Sequence, residues 1–375
     1  MMEKIKILFF IPTLGHGGAE RVLINLVNHM DQDKFDITVQ TMFDVGIYQS
    51  QIKEGIRYIG GHKRYFRGNT LVMKLLSPKA LYKHFIKEDY DIIVSYLEGP
   101  SARAVAGCIN PKTKLICWIH TQHQTMKFAA KSFRNAKESQ YCYGRFDKIV
   151  GVSKTVMQDF QEIFHRDENI CVVYNTIESD VIMEKSQETF DDFAFNEKEI
   201  NLISVGKLIP VKGYDRLVNI TKRLKDDGFP VHTYIVGKGE EKAALEKQIA
   251  ECGIESNWTF VGFQSNPYKY VKAADLYVCS SRREGFSTAV TESLIIGTPV
   301  VSTNCSGAYE LLGYNNEYGI VTENEEESLY QGIKRMLEGD NLAYYKQKAQ
   351  ERGGEFNAEK TVQSAENMFK EVFNA

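Results

Sequence analysis

The sequence lacks the features of a membrane-spanning or secreted protein. None of its apolar runs approaches the ~18 consecutive residues that a membrane-spanning helix needs. The apolar run at residues 5–12 is too short for a signal peptide, and no Ala-x-Ala cleavage pattern follows it. We therefore expect a protein that does not span a membrane and that works in the cytoplasm.

Paired cysteines are also lacking. The seven cysteines are scattered along the chain, and no two of them form a Cys-x-x-Cys arrangement. Most lie within apolar runs, as Cys117 does between Ile116 and Trp118. This pattern excludes a disulfide framework and a cysteine zinc site, and it predicts buried free thiols in a reducing compartment.

Charge is distributed unevenly, although the formal net charge is only −3. Residues 60–87 contain no acid, and such a segment is typical of a surface that meets anionic lipid or nucleic acid. A solvated helix face explains it equally well. The acidic overall balance and the lack of a recognised module argue against nucleic acid. The basic residues of the segment are Lys63, Arg64, Arg67, Lys74, Lys79, Lys83 and Lys87.

The order of apolar segments predicts an α/β chain. At 375 residues the chain is long enough for two domains, each with its own core. Strand-like runs alternate with helical patterns, which favours parallel, doubly wound sheets. The strand-like runs cover residues 5–12, 35–43, 91–96, 115–119, 148–152 and 170–174, and then 200–205, 232–236, 258–261, 276–279 and 299–303.

Residues 178–199 break this alternation, because they are rich in Asp and Glu and have no clean period. We interpret them as the link between a first domain at residues 1–180 and a second at residues 181–356. The last stretch, residues 357–375, has the pattern of a terminal helix, and the pattern alone does not identify its packing partner.

The sharpest local motif starts at Glu284, follows a predicted strand and opens a helix. Free backbone N–H groups at such a helix start form a natural anion site. Glu292 follows about two helical turns later, so the element is long enough to grip both ends of an elongated ligand. Alternatively, the two acids only complement the helix dipole. The turn between them contains Gly285, Phe286, Ser287 and Thr288.

Two lysines follow the first strand of the second half. Gly206 and Lys207 come directly after residues 200–205, and Lys212 follows closely. Open α/β sheets bind ligands at the carboxyl ends of their strands, where cations would neutralise the charge on a leaving diphosphate. Solvated surface lysines are the alternative interpretation.

The first half contains weaker candidates. Gly17 and Gly18 lie in a glycine-rich turn that lacks the full dinucleotide-binding spacing. His120 ends a predicted strand and would face the ligand edge, unless it is a structural histidine. The Asp-x-Asp pattern at residues 31–33 matches a metal-binding motif, but it falls at a helix-to-strand turn on the opposite edge of the sheet. We therefore predict no metal site there.

Taken in order, these motifs resemble the retaining glycosyltransferases of family 4, which have the GT-B fold of two facing Rossmann-like domains with a cleft between them. The resemblance covers nearly the whole chain. It rests on Gly17-Gly18-Ala19-Glu20-Arg21, His120, Val173-Tyr174-Asn175-Thr176, Gly206-Lys207-Leu208, Lys212-Gly213, Gly237-Lys238-Gly239-Glu240, Glu284, Glu292 and Gly297-Thr298-Pro299-Val300-Val301.

The resemblance implies an enzyme that moves a hexose or N-acetylhexosamine from a nucleotide-diphosphate sugar to a glycan or polyprenyl-linked acceptor. UDP is the commonest nucleotide of the family, which uses neither a cofactor nor a bound metal. The implied contacts are Gly206, Lys207, Lys212, Gly285, Phe286, Ser287 and Thr288 around the diphosphate, Gly237, Glu240, Phe263 and Gln264 around the base, Glu284 and His120 on the sugar, Glu292 on the ribose, and Gly17 and Gly18 on donor phosphate or acceptor.

Retention in this family is usually explained by a front-face path, in which the leaving phosphate itself takes the acceptor proton. Two departures from the pattern bear on donor preference. Lys207 stands where many members have arginine, and Tyr174-Asn175-Thr176 where many have Pro-Asn-Gly. Lysine lacks the bidentate fork of arginine but keeps the charge.

The resemblance also implies that the terminal helix packs back on the first domain. Because the family's acceptors are frequently lipid-linked, residues 60–87 are a candidate for contact with the inner face of the membrane. Two other hypotheses remain open at this point. One is a nucleotide-sugar epimerase on the same fold, and the other is a non-catalytic member that acts as a binding partner.

Overall fold

A computed structural model describes residues 4–15, 17–64, 68–123, 125–191 and 195–375. The chain divides into two compact units, one of residues 1–177 with 358–375 and the other of residues 178–357. Each unit contains a parallel sheet with connecting helices, as expected for two Rossmann-like domains. Among the described residues, no helix is long and apolar enough to cross a membrane.

The first unit is built on a parallel sheet. Its strands are β1 (Ile5–Ile11), β2 (Phe35–Thr41), β3 (Arg57–Ile59), β4 (Ile92–Ser95), β5 (Lys114–Ile119), β6 (Lys148–Gly151) and β7 (Ile170–Val172). Their order across the sheet is β3-β2-β1-β4-β5-β6-β7. The order in which successive strands are added to the sheet therefore reverses between β1 and β4, while the strands themselves stay parallel. Residues 7–11 of β1 are fully buried, as a continuous apolar run in a parallel sheet requires.

The helices of the first unit connect these strands. They are α1 (Gly18–His29), α2 (Asn69–Leu75), α3 (Pro78–Phe85), α4 (Pro100–Val105), α5 (Met126–Ala129), α6 (Ala136–Gly144) and α7 (Lys154–Phe164). Side-chain caps start several of them. The hydroxyl of Ser153, for example, accepts a hydrogen bond from the Val156 amide at the start of α7, at 3.1 Å.

The second unit repeats the arrangement. Its helices are α8 (Ser179–Ser186), α9 (Tyr214–Asp226), α10 (Lys242–Cys252), α11 (Tyr268–Ala273), α12 (Thr288–Ile296), α13 (Ala308–Leu312), α14 (Glu326–Leu337) and α15 (Asn341–Gly353). Its strands are β8 (Ile200–Val205), β9 (Val231–Val236), β10 (Trp258–Gly262), β11 (Leu276–Cys279), β12 (Val300–Thr303) and β13 (Ile320–Thr322). They form a parallel sheet in the order β10-β9-β8-β11-β12-β13, which reverses between β8 and β11.

The terminal helix α16 (Ala358–Asn374) belongs to the first unit and packs against α1. The ring of Phe369 lies 5.7 Å from that of Phe9 and 6.3 Å from that of Phe35, measured between centroids. The Asp31 amide donates to the Glu366 carboxylate at 2.7 Å. The helix thus completes the core on one side of the first sheet.

Two parts of the fold differ from the sequence-based expectation. Strands β3 and β13 were not predicted, because each has only three residues, too few to show a period. The acidic segment at residues 178–199, interpreted as a link, contains helix α8, which packs on α11 and α12 of the second unit. Asn266 also donates to the Lys185 carbonyl at 2.9 Å. The helix was missed because it is short and buries only Ile182 and Ser186.

The cysteines are free thiols, as the sequence predicted. Five of the seven are buried, while Cys171 and Cys252 are half-buried. Burial raises the pKa of Cys142 to about 12, so this thiol stays protonated at neutral pH.

Candidate functional site

The second sheet places two motif-bearing loops side by side. One loop, residues 206–213, follows β8, and the other, residues 280–287, follows β11. Strands β8 and β11 are parallel neighbours, so both loops leave the same carboxyl edge. The strand order reverses between them, and this is the point at which open α/β sheets bind ligands.

Hydrogen bonds tie the two loops together. Arg216 is buried at the start of α9 and donates to the Ser280 carbonyl from Nε at 2.9 Å and from Nη2 at 2.5 Å. Arg282 forms a two-pronged ion pair with Asp215, with distances of 2.7 and 2.6 Å. The Ser280 hydroxyl donates to the Lys212 carbonyl at 2.8 Å. The loops are therefore held in one geometry by contacts of the protein itself.

Lys212 and Glu284 meet at the centre of this edge. The Lys212 ammonium donates to Glu284 Oε1 at 2.7 Å, and the Ser281 hydroxyl donates to the same oxygen at 2.6 Å. Burial opposes the charge on Lys212, but the Glu284 carboxylate more than offsets it, so the pKa of Lys212 lies above its ordinary value. Because the two side chains keep 23% and 15% of their exposure, the pair remains accessible.

The predicted helix start is present. Ser287 caps α12 in an extended conformation, and its hydroxyl accepts from the Val290 amide at 3.4 Å. Gly285 and Phe286 before it are buried, and Thr288 is the first residue of the helix. Glu292 lies in the second turn of α12 and is only 5% exposed.

The glycines after β8 and β9 have a packing role. The Gly206 amide donates to the Val236 carbonyl at 3.0 Å, and the Gly237 amide donates to the Gly262 carbonyl at 2.8 Å. A Cβ atom on Gly237 would collide with the carbonyl oxygen of Gly206. Glycine is therefore required at position 237 for the two backbones to approach, whether or not a ligand binds.

The residues predicted to contact the nucleotide base lie at the same carboxyl edge of the second sheet, but further from β11. Phe263 follows β10, two strand spacings or about 10 Å from β8. Its ring is 45% exposed, and the Lys238 ammonium lies 4.9 Å from its centroid. Gln264 adjoins it, and Glu240 and Lys207 are exposed.

His120 lies at the carboxyl edge of the first sheet, after β5. Its backbone amide donates to the Glu98 carboxylate at 2.8 Å, and its ring centroid is 4.7 Å from that of Tyr96. Burial lowers the pKa of His120 to about 4, although Glu98 acts in the opposite direction. Its Nε2 atom is buried and has no hydrogen-bond partner among the described residues.

The sequence reasoning missed Glu98. An acid that follows a buried strand such as β4 at a carboxyl edge is the signal that identifies it. Gly17 and Gly18 lie at the start of α1, where the Glu20 carboxylate is close enough to Gly17 that a Cβ atom there would displace it. The neighbouring His16 lies outside the described residues.

The Asp-x-Asp pattern at residues 31–33 falls between α1 and β2, as predicted. Asp31 forms an ion pair with Lys34 and also accepts a hydrogen bond from the Asp33 amide at 2.9 Å. The bond from Lys34 is the main reason that the pKa of Asp31 lies below its ordinary value. Within the described ranges, no group of three or more His, Cys, Asp or Glu residues is arranged to hold a metal ion.

Comparison with known families finds two matching models, one for each half of the chain. Residues 16–181 match the model described as Glycosyltransferase Family 4. Residues 185–352 match the model described as Glycosyl transferases group 1.

Two curated relatives come from Campylobacter jejuni. The chain is 32% identical over 372 residues to the N-acetylgalactosamine-N,N'-diacetylbacillosaminyl-diphospho-undecaprenol 4-alpha-N-acetylgalactosaminyltransferase, covering 97% of this chain and 98% of that protein. It is 26% identical to the GalNAc-alpha-(1->4)-GalNAc-alpha-(1->3)-diNAcBac-PP-undecaprenol alpha-1,4-N-acetyl-D-galactosaminyltransferase, over 90% of each chain.

Among solved structures, the chain is similar to HepE of Anabaena, crystallised in complex with UDP. The TM-score is 0.75 at 20% identity, and the match covers 98% of this chain and all of that one. A likeness at this level of identity supports the fold.

Proposed function

This chain belongs to the glycosyltransferases of the GT-B fold, and from that premise we propose that it is a retaining hexosyltransferase. Its donor is a UDP-sugar, and its acceptor is a glycan carried on a polyprenyl diphosphate. The observation that carries the proposal is the contact between Lys212 and Glu284 at the point where the second sheet reverses its strand order.

Lys212 supplies a permanent positive charge at this edge. Its raised pKa keeps the ammonium protonated at neutral pH, and its loop is anchored through Ser280 and Arg216. A cation that is already in position stabilises the charge that develops on a departing diphosphate without further reorganisation. The first turn of α12 adds backbone amides and the positive end of a helix dipole. Lys207, which is exposed, adds a second charge.

Glu284 is unsuited to act as a nucleophile. Its Oε1 accepts hydrogen bonds from Lys212 and Ser281, so its negative charge is already engaged. A double displacement through Oε1 would first have to break both bonds, and the two donors also withdraw negative charge from Oε2. This arrangement favours the front-face path, in which the leaving phosphate takes the acceptor proton and Glu284 positions sugar hydroxyls.

His120 acts in its neutral form in this proposal. Its lowered pKa leaves the imidazole uncharged at pH 7, and its buried Nε2 offers a hydrogen bond to a sugar hydroxyl. Glu98 holds the backbone of the same residue in place. An uncharged imidazole suits a sugar ring, because the ring is itself uncharged.

The relatives support the choice of substrates. Both Campylobacter proteins are named as N-acetylgalactosaminyltransferases that act on undecaprenyl-diphosphate-linked glycans. HepE was crystallised with UDP. We therefore favour a UDP-linked N-acetylhexosamine over a GDP- or ADP-sugar, and no bound metal or cofactor forms part of the proposal.

A donor panel followed by a transfer assay tests the proposal. UDP-, GDP- and ADP-sugars are compared by thermal shift, since a ligand at ~100 times its dissociation constant stabilises the folded state by about 2.7 kcal/mol. The stabilising donor is then incubated with a polyprenyl-diphosphate glycan, and the product is analysed by mass spectrometry and by NMR of the new anomeric carbon. An α-linkage from an α-donor is expected. An epimerised nucleotide sugar without transfer, or a β-linked product, contradicts the proposal.

A further inference from the structure

Two buried cysteines lie at the carboxyl edge of the second sheet. Cys279 is the last residue of β11, and Cys305 comes two residues after β12, the neighbouring parallel strand. The Cys305 amide donates to the Thr303 carbonyl at 2.8 Å, so the chain turns as soon as β12 ends. Both cysteines are almost fully buried, and their thiols are joined by a hydrogen bond.

The two thiols differ in how firmly they hold their protons. The pKa of Cys279 lies below that of an ordinary thiol, because the hydrogen bond from Cys305 outweighs the effect of burial. The same bond, together with burial, raises the pKa of Cys305. In the first unit, burial raises the pKa of both Cys117 and Cys171. Cys279 therefore has the greatest thiolate character of these four, and the thiolate is the reactive form of cysteine.

This pair of thiols adjoins the contact between Lys212 and Glu284. Both charged groups are close enough to Cys279 for an electrostatic interaction with its sulfur. The two residues that follow Cys279 hold the contact in place. The Ser280 hydroxyl donates to the Lys212 carbonyl at 2.8 Å, and the Ser281 hydroxyl donates to Glu284 Oε1 at 2.6 Å. The position of Cys279 therefore bears directly on the charged edge.

The end of β12 is fixed to the same loop. The Thr303 hydroxyl donates to the Ser281 carbonyl at 2.6 Å and lies 3.3 Å from the carbonyl oxygen of Cys279. Cys305 follows Thr303 by only two residues. A displacement of either cysteine is thus transmitted to the loop that contains Glu284.

We propose that Cys279 and Cys305 form a reversible disulfide when the protein meets a peroxide, and that this bond disables the charged edge of the second sheet. The consequence for the enzyme rests on the proposed function, whereas formation of the disulfide does not. In a reducing compartment, disulfides are usually transient and serve catalysis or redox sensing. The pair is therefore a modification site that stays reduced until an oxidant reaches it.

The reaction balances with hydrogen peroxide as the oxidant. The Cys279 thiolate attacks one peroxide oxygen and becomes a sulfenic acid, while the O–O bond breaks and releases hydroxide. The Cys305 sulfur then attacks the Cys279 sulfur, and its proton leaves with the displaced hydroxyl as water. The hydroxide takes up the proton that Cys279 had released. Overall, two thiols lose two electrons and two protons, and one peroxide molecule becomes two waters.

The disulfide requires a movement of the backbone. Neighbouring strands lie about 4.8 Å apart, which is compatible with the Cα separation of about 4.4–6.8 Å that disulfides span. The covalent bond is far shorter than a hydrogen bond between thiols, so the ends of β11 and β12 have to approach each other. A displacement of about 1 Å in a catalytic site can cost about 10²-fold in rate. We therefore expect oxidation to lower both donor binding and transfer.

Thiol counting on the full chain tests the disulfide itself. Reduced protein is treated with increasing hydrogen peroxide, denatured and titrated for free thiols, and linked peptides are identified by mass spectrometry without reductant. The count should fall by two from the seven free thiols, and the linked peptides should contain Cys279 and Cys305. Dithiothreitol should restore the count. The variant Cys305→Ser should instead accumulate a sulfenic acid at Cys279, which dimedone traps.

UDP binding and sugar transfer test the consequence. Oxidised wild-type protein should lose at least about tenfold in transfer rate and most of its thermal stabilisation by UDP, and dithiothreitol should restore both. Each variant is compared with its own reduced sample. Cys279→Ser should lose little on treatment with peroxide. The matched control Cys252→Ser removes a half-buried cysteine of α10 and should lose as much as the wild type.

The two proposals fail in different ways. Reduced wild-type protein that neither binds UDP nor transfers sugar contradicts the proposed function. The thiol count and the linked peptides decide in either case whether the disulfide forms.

Three results would overturn the inference. A thiol count that peroxide leaves unchanged in the folded wild-type protein shows that the pair is inert. A disulfide between other cysteines, or a loss of thiols that persists in full in Cys279→Ser, assigns the chemistry to another place. A disulfide between Cys279 and Cys305 that leaves UDP binding and transfer unchanged shows that the charged edge tolerates the bond.

Discussion

The two sheets reverse their strand order in the same way, yet the edges at these points differ in chemistry. In the second unit, charged groups lie on and beside the loops after β8 and β11. Lys212 pairs with Glu284, and Arg282 pairs with Asp215 at the start of α9. In the first unit, the residues near β4 and β5 surround His120 with Tyr96 and Trp118, whose ring centroids lie 4.7 and 6.5 Å away.

The two edges therefore suit different chemical groups. Preformed positive charge suits an anionic group such as a diphosphate, while hydrogen bonds and an apolar face suit a neutral polar group such as a sugar ring. The same sheet topology thus supports a charged edge in one unit and an aromatic edge in the other. The side chains that follow the strands determine which of the two is present.

The largest effect is expected from removing charge in the second unit. Lys212→Met and Glu284→Gln should each lower kcat/KM for transfer about 10²–10³-fold. The first variant loses the positive charge proposed to face the diphosphate, and the second loses the carboxylate proposed to position sugar hydroxyls. The double variant should restore folding stability relative to Lys212→Met, since no acid is left unpaired, but it should not restore transfer. The measurements are initial rates and chemical denaturation.

The matched control is Lys247→Met/Glu251→Gln, which removes an exposed ion pair on α10. Its transfer rate should equal that of the wild type. Equal losses in the control, or full activity in Lys212→Met, would show that the charged edge is not the catalytic one.

A stability effect is expected from glycine packing at the same edge. Gly237→Ala places a Cβ against the Gly206 carbonyl and should destabilise the protein by about 2 kcal/mol or more. Gly144→Ala in α6 meets no atom within 4 Å and should be neutral or stabilising by about 0.5 kcal/mol. Urea denaturation measures both. Equal free energies of unfolding for the two variants would mean that the loops after β8 and β9 move to accommodate the added methyl group, which contradicts the prediction.

The burial of His120 in the first unit predicts a pH dependence of stability. An exposed histidine in the unfolded chain binds protons below a pKa of about 6.5, but folded His120 binds them only near pH 4. The unfolded state therefore binds more protons between these values, and the contribution of His120 to stability falls as the pH drops from about 6.5 to about 4. In the variant His120→Gln, the free energy of unfolding should change less with pH over this range, as measured by urea denaturation at several pH values. An unchanged pH dependence would contradict the lowered pKa of His120.

The smallest effect is expected at the opposite edge of the first sheet. Asp31→Asn should leave transfer unchanged with or without EDTA, because this acid is engaged by Lys34 and lies at the amino ends of the strands. A large loss of transfer, or rescue of activity by added Mg²⁺ or Mn²⁺, would show that the Asp-x-Asp pattern is functional.

The regular elements of the fold were largely predictable from local pattern. β8 and β11 have the predicted bounds, and α12 begins just after the motif at Glu284 as predicted, since apolar runs and a serine cap are local signals. Strands β3 and β13 and helix α8 were not predictable, because each is short and is stabilised by neighbouring elements of the fold. The site shows the same division. Lys212 and Glu284 stood out as motifs, but Glu98 and Arg216 did not.

By itself, the sequence determined that the chain forms two parallel α/β units and which residues end their strands, because periodicity and turn residues act over short distances. Only the tertiary structure decided that Lys212 touches Glu284, which lies 72 positions away, and that Cys279 and Cys305 share a hydrogen bond. Contacts of this kind depend on which strands become neighbours and which carbonyls an arginine can reach. A pattern along one segment contains no information about either.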